Sequence, residues 1–435
     1  MEKIRKLNLM LIYTIPFFLI FSNAIADGIV VLTGLTFLGL LIFKKLPFTI
    51  SNLLKDKIII CFFLFYIVLI LSSFFSEFQF SSFKRSIPYV RFIFFVAALK
   101  YWLLVDKNNF KILFYSILIC TLFVCFDIIF QYFNIEYHPD SAFSENYIKK
   151  GVDVFGYQSL NYYRFQGPFK NEYIAGGFIL KFSPFLFLIF FNILSKLKKN
   201  NFSIILIILL ASFITCAIFI TGDRAPFFTL MLIWLFSTLI FFNKKIIFFL
   251  LFFITLIIFL FGSNVEKKQR YIDETLASIG FQNKEFTLDT GYGHLFYSAI
   301  KIWIDKPLLG AGTKTYRDIC FRDEYNFESK NNVELCSTHP HNYVLELLSE
   351  VGLFGLASFY LIFFYLAKKL KSIKNIFKKN FDHCNLKFSI ISLIIILWPI
   401  TTTGSILNNK NSIILWFIFG IVYALIKSRK KPIRK

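Results

Sequence analysis

The chain contains 435 residues, of which 57% are hydrophobic, and it carries 61 Phe. Charged residues account for 17%, whereas about a quarter is typical of soluble domains. The apolar residues form long blocks, which excludes an ordinary soluble globular protein. Membrane-spanning strands would alternate in polarity over about ten residues. These blocks are longer and uniformly apolar, so they predict helices.

The blocks predict an all-α polytopic membrane protein with about twelve transmembrane helices. Residues 202–221 carry no charged side chain, and as a helix they would measure about 30 Å, enough to cross a bilayer. Helices also satisfy the backbone hydrogen bonds that lipid cannot. The predicted spans are residues 7–24, 29–43, 58–75, 86–104, 110–133, 172–194, 202–221, 226–243, 246–263, 342–367, 388–403 and 411–427.

The net charge of +22 predicts the orientation of these helices. With both termini in the cytoplasm, the inside segments hold 27 of the 48 basic residues and only four acidic ones. Lys and Arg are enriched in cytoplasmic loops, so the charge is a topology signal, and we expect no binding to nucleic acid. The basic segment 368–387 is expected to be cytoplasmic and to contact membrane lipids. The N-terminus imitates a signal peptide, but a second span follows at once, so we favour an uncleaved first helix.

Two outside loops divide the chain. Residues 1–263 hold the first nine spans, with a loop at 134–171. A large loop follows at 264–341, and residues 342–435 hold three more spans and a basic tail. Loops of such length are usually functional or disordered, and the second loop is too aromatic for disorder, so we expect the chemistry to face the periplasm. A helical pattern at 294–304 predicts an apolar packing stripe, formed by Phe296, Ile300 and Trp303.

The sequence STHPHN at 337–342 lies where the large loop re-enters the membrane. Pro340 disfavours helix at His339 and indicates a rigid turn, after which we expect His341 and Asn342 to begin the tenth span. Imidazole is a suitable general base near neutral pH. The positive end of the helix would lower the pKa of a His there and would favour an anionic ligand. The alternative is that these His cap the helix or lie at the interface.

Two further segments carry Arg at the outer boundary. The turn TGDRAP at 221–226 holds Arg224, whose guanidinium suits a diphosphate, although it could instead pair with Asp223 or with head groups. The segment YRFQGPF at 163–169 holds Arg164, in what could simply be a structured turn. Charges inside predicted spans are additional candidates, although two of the lysines could snorkel or pair: Arg91, Lys100, Asp127 and Lys181.

The cysteines predict one disulfide and no zinc site. Cys320 and Cys336 share the large outside loop, and the periplasm is oxidising. A bond between them would fix the loop just before the His-Pro-His turn, with a loop-closure contribution of about 3 kcal/mol; two free thiols are the alternative. The chain contains no CxxC pair, so we expect no metal site.

These motifs together resemble the O-antigen ligase and O-antigen polymerase superfamily. The resemblance is strongest over about 290–360, in HPHNY followed by LELLSEVGLFGL, where His341-Asn342 precede Gly352 and Gly355. The turn at 221–226 and the segment 164–177 are similar to other motifs of that family. We expect the family-related region to cover about 205–360.

The resemblance implies a GT-C-like, metal-independent, inverting glycosyltransferase without a cofactor. The donor would be a glycan on undecaprenyl diphosphate. A ligase would transfer it to lipid A-core in lipopolysaccharide biosynthesis, and a polymerase would transfer it to another lipid-linked repeat. By position, His341 would be the general base, Arg224 would bind the diphosphate, Asn342 would orient the site and His339 would assist.

One departure from the family pattern concerns the second diphosphate ligand. Many relatives carry Arg where this sequence has His294, in GYGH. Either His294 makes the phosphate contact, or Arg164 or Arg270 replaces it. A transporter of lipid-linked sugar remains an alternative, although no repeated halves are visible. A structural membrane protein without an active site is a third possibility, in which His341 would be dispensable.

Overall fold

The computed structural model describes residues 2–46, 49–104, 106–139, 147–159, 164–170, 172–196, 201–241, 271–272, 292–325, 336–372, 381–399, 402 and 404–427. These residues are mostly helical. The helices are α1 (Glu2–Phe21), α2 (Asn23–Ile42), α3 (Ile50–Leu54), α4 (Lys57–Phe74), α5 (Gln79–Ser86), α6 (Arg91–Leu104), α7 (Lys107–Phe133), α8 (Ala175–Lys196), α9 (Asn201–Thr221), α10 (Arg224–Phe241), α11 (Gly293–Asp305), α12 (Tyr316–Ile319), α13 (Tyr343–Lys371), α14 (Phe381–Ile396) and α15 (Asn409–Lys427).

The predicted all-α polytopic membrane fold is confirmed. Among the described residues, seven helices are long and apolar enough to span a membrane, and four shorter apolar helices accompany them. These eleven helices coincide with eleven of the twelve predicted spans. The remaining one, at 246–263, lies outside the described residues.

The start of the fourth predicted span differs from the structure. The fourth apolar span begins at Gln79 rather than at 86, because a 3₁₀ turn at Ile87–Val90 joins α5 to α6. Pro88 is tolerated there because its missing N–H lies at the start of a helical turn. Lys84 and Arg85 therefore lie in the last turn of α5.

The loop after α7 contains a β-hairpin that the sequence analysis did not predict. Strands β1 (Ile135–Pro139) and β2 (Tyr147–Gly151) pair antiparallel, with Ile135 opposite Gly151. Five residues with few apolar side chains give too weak an alternation to be recognised beside helical spans of twenty residues.

Contacts divide the chain into two compact units. The first contains the described residues of 1–111, 283–386 and 397–435, and the second those of 112–282 and 387–396. In the first unit α13 packs on α4, and α6 packs on α2 and α15. Trp416 is fully buried there and donates a hydrogen bond from Nε1 to Tyr89 Oη at 2.9 Å. In the second unit α8 packs on α9 and α10.

Helix α13 is broken at Gly352, within a candidate membrane span. Gly352 has φ 68° and ψ −170°, a combination that is essentially restricted to glycine. The break leaves backbone groups without their helical partners, and each such group would cost several kcal/mol in hydrocarbon, on the order of 2–7. The structure must therefore supply partners from elsewhere in the chain.

Residues 307–312 supply those partners. Leu353 N and Phe354 N donate to Pro307 O and Leu308 O at 2.8 and 3.1 Å. On the other side of the break, Ser349 O and Glu350 O accept hydrogen bonds at 2.9 and 2.8 Å, from Ala311 N and Gly312 N. The two backbones approach so closely that a Cβ on Gly352 would lie 2.3 Å from Leu308 O. The loop that follows α11 is thereby fixed to the middle of α13.

We predict that Gly352→Ala destabilises the protein strongly. The backbone conformation alone should cost about 1–3 kcal/mol, and the contact with Leu308 adds to that cost. The measurement is the unfolding temperature of the detergent-purified protein. Gly39→Ala in α2 is the matched control, because a Cβ there meets no atom within 4 Å; an equal loss in both variants would contradict the assignment.

Candidate active site

His341 and Asn342 immediately precede the first turn of α13. The Asn342 Oδ1 accepts hydrogen bonds from Val344 N at 2.9 Å and Leu345 N at 3.2 Å, which is the geometry of a helix N-cap. Its Nδ2 donates to Pro399 O at 2.8 Å. The expectation that His341 begins the helix was wrong: His341 precedes the cap and has φ 54°. A non-glycine residue in this left-handed conformation is strained, and such strain is concentrated at functional sites.

The His341 imidazole is half-buried among polar and aromatic side chains. Its ring centroid lies 4.1 Å from that of His339 and 5.3 Å from that of Tyr292, the residue before α11. Ser337 Oγ lies 3.4 Å from Nε2 of His341, a long distance for a hydrogen bond. The structure therefore gathers His339, His341 and Asn342 at one end of α13, with Tyr292 beside them.

The environment of His341 keeps its imidazole neutral at pH 7. Burial is the largest cause and the charge of His339 the next, and together they lower the pKa of His341 to about 4. The Glu346 carboxylate acts in the opposite direction. A lowered pKa was expected, but from the helix dipole; the structure attributes it to desolvation.

A disulfide and an apolar cluster hold the preceding loop against this site. Cys320 and Cys336 are joined, with Cα atoms 5.8 Å apart. Cys320 is fully buried in an apolar cluster against which Cys336 and Leu345 of α13 also pack. The cluster is formed by Ala299, Ile302, Ala311, Tyr316, Ile319, Cys320 and Tyr325.

The packing face of α11 differs from the predicted stripe. Leu295, Ala299 and Ile302 are buried, whereas Ile300 is 40% exposed. The expected stripe of Phe296, Ile300 and Trp303 is thus displaced by about one position, because three large side chains outweighed smaller ones in the sequence pattern. His294 lies on the buried face, 3% exposed, in the first turn of α11.

In the second unit, Arg164 forms an ion pair with Asp223, in the turn that precedes Arg224. Arg164 Nη2 lies 3.0 Å from Asp223 Oδ1, and its guanidinium stacks 3.8 Å from the ring of Tyr173. Asp223 Oδ2 also accepts a hydrogen bond from Gly176 N at 3.2 Å. Asp223, considered as a partner for Arg224, is therefore an ion-pair partner of Arg164.

Arg224 is the first residue of α10 and is half-buried. Gly222 precedes it with φ 73°, a conformation that glycine adopts without strain. A helix N-terminus presents N–H groups and positive potential to anions. The turn thus places a guanidinium at such an end. Arg270, the other candidate cation, lies outside the described residues.

Comparison with known proteins agrees with the motifs at 221–226 and 337–342. A family model described as O-antigen ligase matches residues 206–360, a segment that contains Arg224, His294, His339, His341 and Asn342. Residues 206–360 are therefore similar to the O-antigen ligase family. A Rickettsia conorii protein provisionally named a polysaccharide ligase is 34% identical over 99 residues. That match covers 21% of this chain and only 23% of the Rickettsia protein.

The O-antigen ligase region also contains site residues that the sequence analysis missed. Glu346 and Glu350 lie in α13 and are 1% and 0% exposed, and Lys314, from the loop after α11, is 7% exposed. Two acidic residues in an apolar span should have been flagged by the rule that intramembrane charges are functional candidates. Tyr292 and Ser337 carried no such signal, because their proximity to His341 depends on tertiary structure.

The flagged intramembrane charges mostly have structural partners. Arg91 Nε lies 2.8 Å from Asp27 Oδ1, and Lys100 Nζ lies 2.8 Å from Asp56 Oδ2. Asp127 Oδ1 accepts a hydrogen bond from Val154 N at 2.9 Å. Among the described residues there is no group of three or more His, Cys, Asp or Glu side chains that could hold a metal ion.

We predict that Asn342→Ala lowers stability by about 1 kcal/mol, because it removes the cap of α13. Asn342→Asp keeps the Oδ1 acceptor and loses only the donation to Pro399, so it should cost less. Thermal unfolding of the three proteins in detergent measures the difference. Equal losses would show that the contact with Pro399, and not the cap, stabilises this end of the helix.

Proposed function

We propose that the protein is an O-antigen ligase-type glycosyltransferase of the bacterial inner membrane, acting in lipopolysaccharide biosynthesis. It would move a glycan from undecaprenyl diphosphate to a sugar hydroxyl of lipid A-core at the periplasmic face, with both termini in the cytoplasm. The observation that supports this proposal most is His341: a neutral imidazole on a residue with a strained backbone, just before a broken helix and within a segment matched by the O-antigen ligase family.

The proposed reaction is a single displacement with inversion. His341 accepts the proton of the acceptor hydroxyl, and the acceptor oxygen forms a bond to the anomeric carbon of the donor sugar. The bond between that carbon and the diphosphate oxygen breaks, and undecaprenyl diphosphate leaves with the electron pair. General-base assistance of this kind typically contributes about 10²–10⁴-fold to a rate.

Arg224 is proposed to bind the diphosphate and to stabilise the charge that develops on the leaving group. Its place at the first residue of α10 supports this role. The pair of Arg164 with Asp223 supports a different role for Arg164, which is to hold that turn in place. His294 is a weaker candidate for the second phosphate contact, because it is buried on the packing face of α11. Asn342 orients His341, and His339 adjoins its ring.

Metal independence follows from the same chemistry. Diphosphate is already a good leaving group, so one base and fixed positive charge are sufficient in principle. The proposed donor is a lipid-linked glycan, and membrane lipids surround the spans. No cofactor enters the proposed reaction.

A polymerase that joins lipid-linked repeat units is the second candidate, because the superfamily includes both activities. The two differ in the acceptor alone. Deletion of a ligase leaves polymer on the lipid carrier and lipid A-core unmodified, whereas deletion of a polymerase leaves single-repeat glycans. Analysis of lipid-linked glycans in a deletion strain therefore decides between them.

We predict that His341→Ala abolishes glycan transfer while the protein accumulates normally in the membrane. The measurement compares the lipopolysaccharide profile with the amount of protein in the membrane, in a deletion strain that is complemented with each variant. His383→Ala, in the segment predicted to be cytoplasmic, is the control and should transfer normally. Retained glycan transfer by His341→Ala would contradict the assignment of His341 as the base. Labelling of residues 264–341 by a reagent in the cytosol would contradict a site that faces the periplasm.

The pH dependence of transfer should report the environment of His341. The neutral imidazole is the active form, and the pKa of His341 is lowered to about 4. The rate should therefore stay level below the ordinary imidazole pKa of about 6.5 and should fall only as pH approaches 4. An acid limb near 6.5 would show that the base titrates as an exposed His.

A further inference from the structure

The two ring nitrogens of His341 have different surroundings. Nε2 lies 3.4 Å from the hydroxyl oxygen of Ser337, four residues earlier in the chain. Nδ1 makes no hydrogen bond to the described residues, so it is the nitrogen left for a substrate. A neutral imidazole carries one proton, and its other nitrogen holds the lone pair that can accept a second proton. Which nitrogen of His341 can act as a base therefore depends on how Ser337 interacts with Nε2.

The backbone of the turn brings the imidazole back towards Ser337. His341 has φ 54°, a left-handed conformation of the kind that tight turns require and that is strained for a residue other than glycine. Pro340, which precedes it, is buried and has a fixed φ. The strained backbone of His341 therefore accompanies a specific contact, between the last ring of the turn and its first hydroxyl.

The disulfide fixes the main chain of Ser337. Its two sulfur atoms, from Cys320 and Cys336, each lie 3.7 Å from the carbonyl oxygen of Ser337. Cys320 is fully buried in the apolar cluster, and Cys336 packs against the same cluster. A hydroxyl on a free loop would lose conformational entropy whenever it bound the imidazole. The hydroxyl of Ser337 is attached to a backbone that is already held.

The neighbouring hydroxyl contacts the other imidazole. Thr338 Oγ1 lies 3.0 Å from Nδ1 of His339, and the rings of His339 and His341 have centroids 4.1 Å apart. Two consecutive hydroxyl side chains thus face two different histidines. Ser337 is the one of the two that contacts the proposed base, and Thr338 provides a matched comparison for it.

We propose that Ser337 is a positioning residue for His341: its hydroxyl oxygen accepts a hydrogen bond from Nε2–H, and Nδ1 is the nitrogen that takes the proton of the acceptor hydroxyl. The inference rests on the proposed role of His341 as base. Before transfer, Nε2 carries the single ring proton and Nδ1 carries the lone pair. The proton of the acceptor hydroxyl then moves to Nδ1, and the positive charge is shared by the whole ring.

The hydrogen bond to Ser337 strengthens as this charge develops. A hydrogen bond from a charged donor is shorter and roughly twice as strong as a neutral one. The distance of 3.4 Å is long, and catalytic hydrogen bonds are often long without substrate and tighten during the reaction. An interaction that is stronger in the transition state than in the ground state raises kcat rather than substrate affinity. Loss of the Ser337 hydroxyl should therefore lower kcat and leave KM nearly unchanged.

Three variants of the purified protein test this role, with undecaprenyl diphosphate-linked glycan and lipid A-core as substrates. Ser337→Ala should lower kcat about 10–100-fold, as expected for the loss of a hydrogen bond to a charged group, with little change in KM. Ser337→Thr keeps a hydroxyl and should restore most of kcat. Thr338→Ala is the matched control and should lose less than Ser337→Ala. Equal losses in the two Ala variants, or no restoration by Thr, would overturn the inference and indicate that the turn only needs to be packed.

A second measurement does not depend on glycan transfer. The chain contains five His, so NMR of protein labelled with ¹⁵N-histidine can show which ring nitrogen of His341 is protonated, and His341→Ala identifies its signals. At pH 7 the wild-type protein should carry the proton on Nε2 and none on Nδ1. A proton on Nδ1 would overturn the inference, because Ser337 would then be the donor.

Failure of the proposed function would look different. Wild-type protein that transfers no glycan from these substrates would contradict the proposed function, and with it the assignment of His341 as base. Normal transfer together with a proton on Nδ1, or with an unchanged kcat in Ser337→Ala, would keep the function and reject the role of Ser337.

Discussion

The break in α13 at Gly352 is the constraint on which the candidate active site depends. A helix inside a membrane normally pairs every backbone group within itself, and this one gives up that pairing inside a candidate span. The groups released on both sides of the break are paired by residues 307–312. Residues 307–312 thus take the place of a helical turn as hydrogen-bond partners of α13. The loop that follows α11 is fixed to α13 by hydrogen bonds between backbone atoms.

Two other links act between the same parts of the chain. The disulfide between Cys320 and Cys336 closes the loop just before His339, and the apolar cluster around Cys320 packs against Leu345. Lys314 follows directly from the paired segment and reaches Glu346. Backbone pairing, a covalent bond and a buried ion pair therefore all determine where His341 lies. Such redundancy is what permits a residue with φ 54° to persist, because strained conformations survive only where the surroundings over-determine them.

The sequence was sufficient for the parts of the structure that depend on local pattern. Long apolar blocks gave eleven helices, and the HPHN motif gave the turn before α13, whereas the cap at Asn342 was visible only in the structure. It was insufficient where tertiary contacts decide. The pairing of Arg164 with Asp223 joins positions 59 residues apart, and the proximity of Tyr292 to His341 depends on how α11 is held. The hairpin after α7 was missed because five-residue strands carry little periodicity.

Gly352 and Glu346 also show why the motif around His341 extends so far along the chain. A base needs only its own side chain, yet the residues that resemble the family run beyond it through Gly352 to Gly355. The glycine is required because a Cβ would collide with Leu308, and the loop it admits brings Lys314 to Glu346. Spacing within the motif is thus set by the distance along α13 between His341 and the break, and an insertion between them would rotate the start of α13 relative to the break by about 100° per residue.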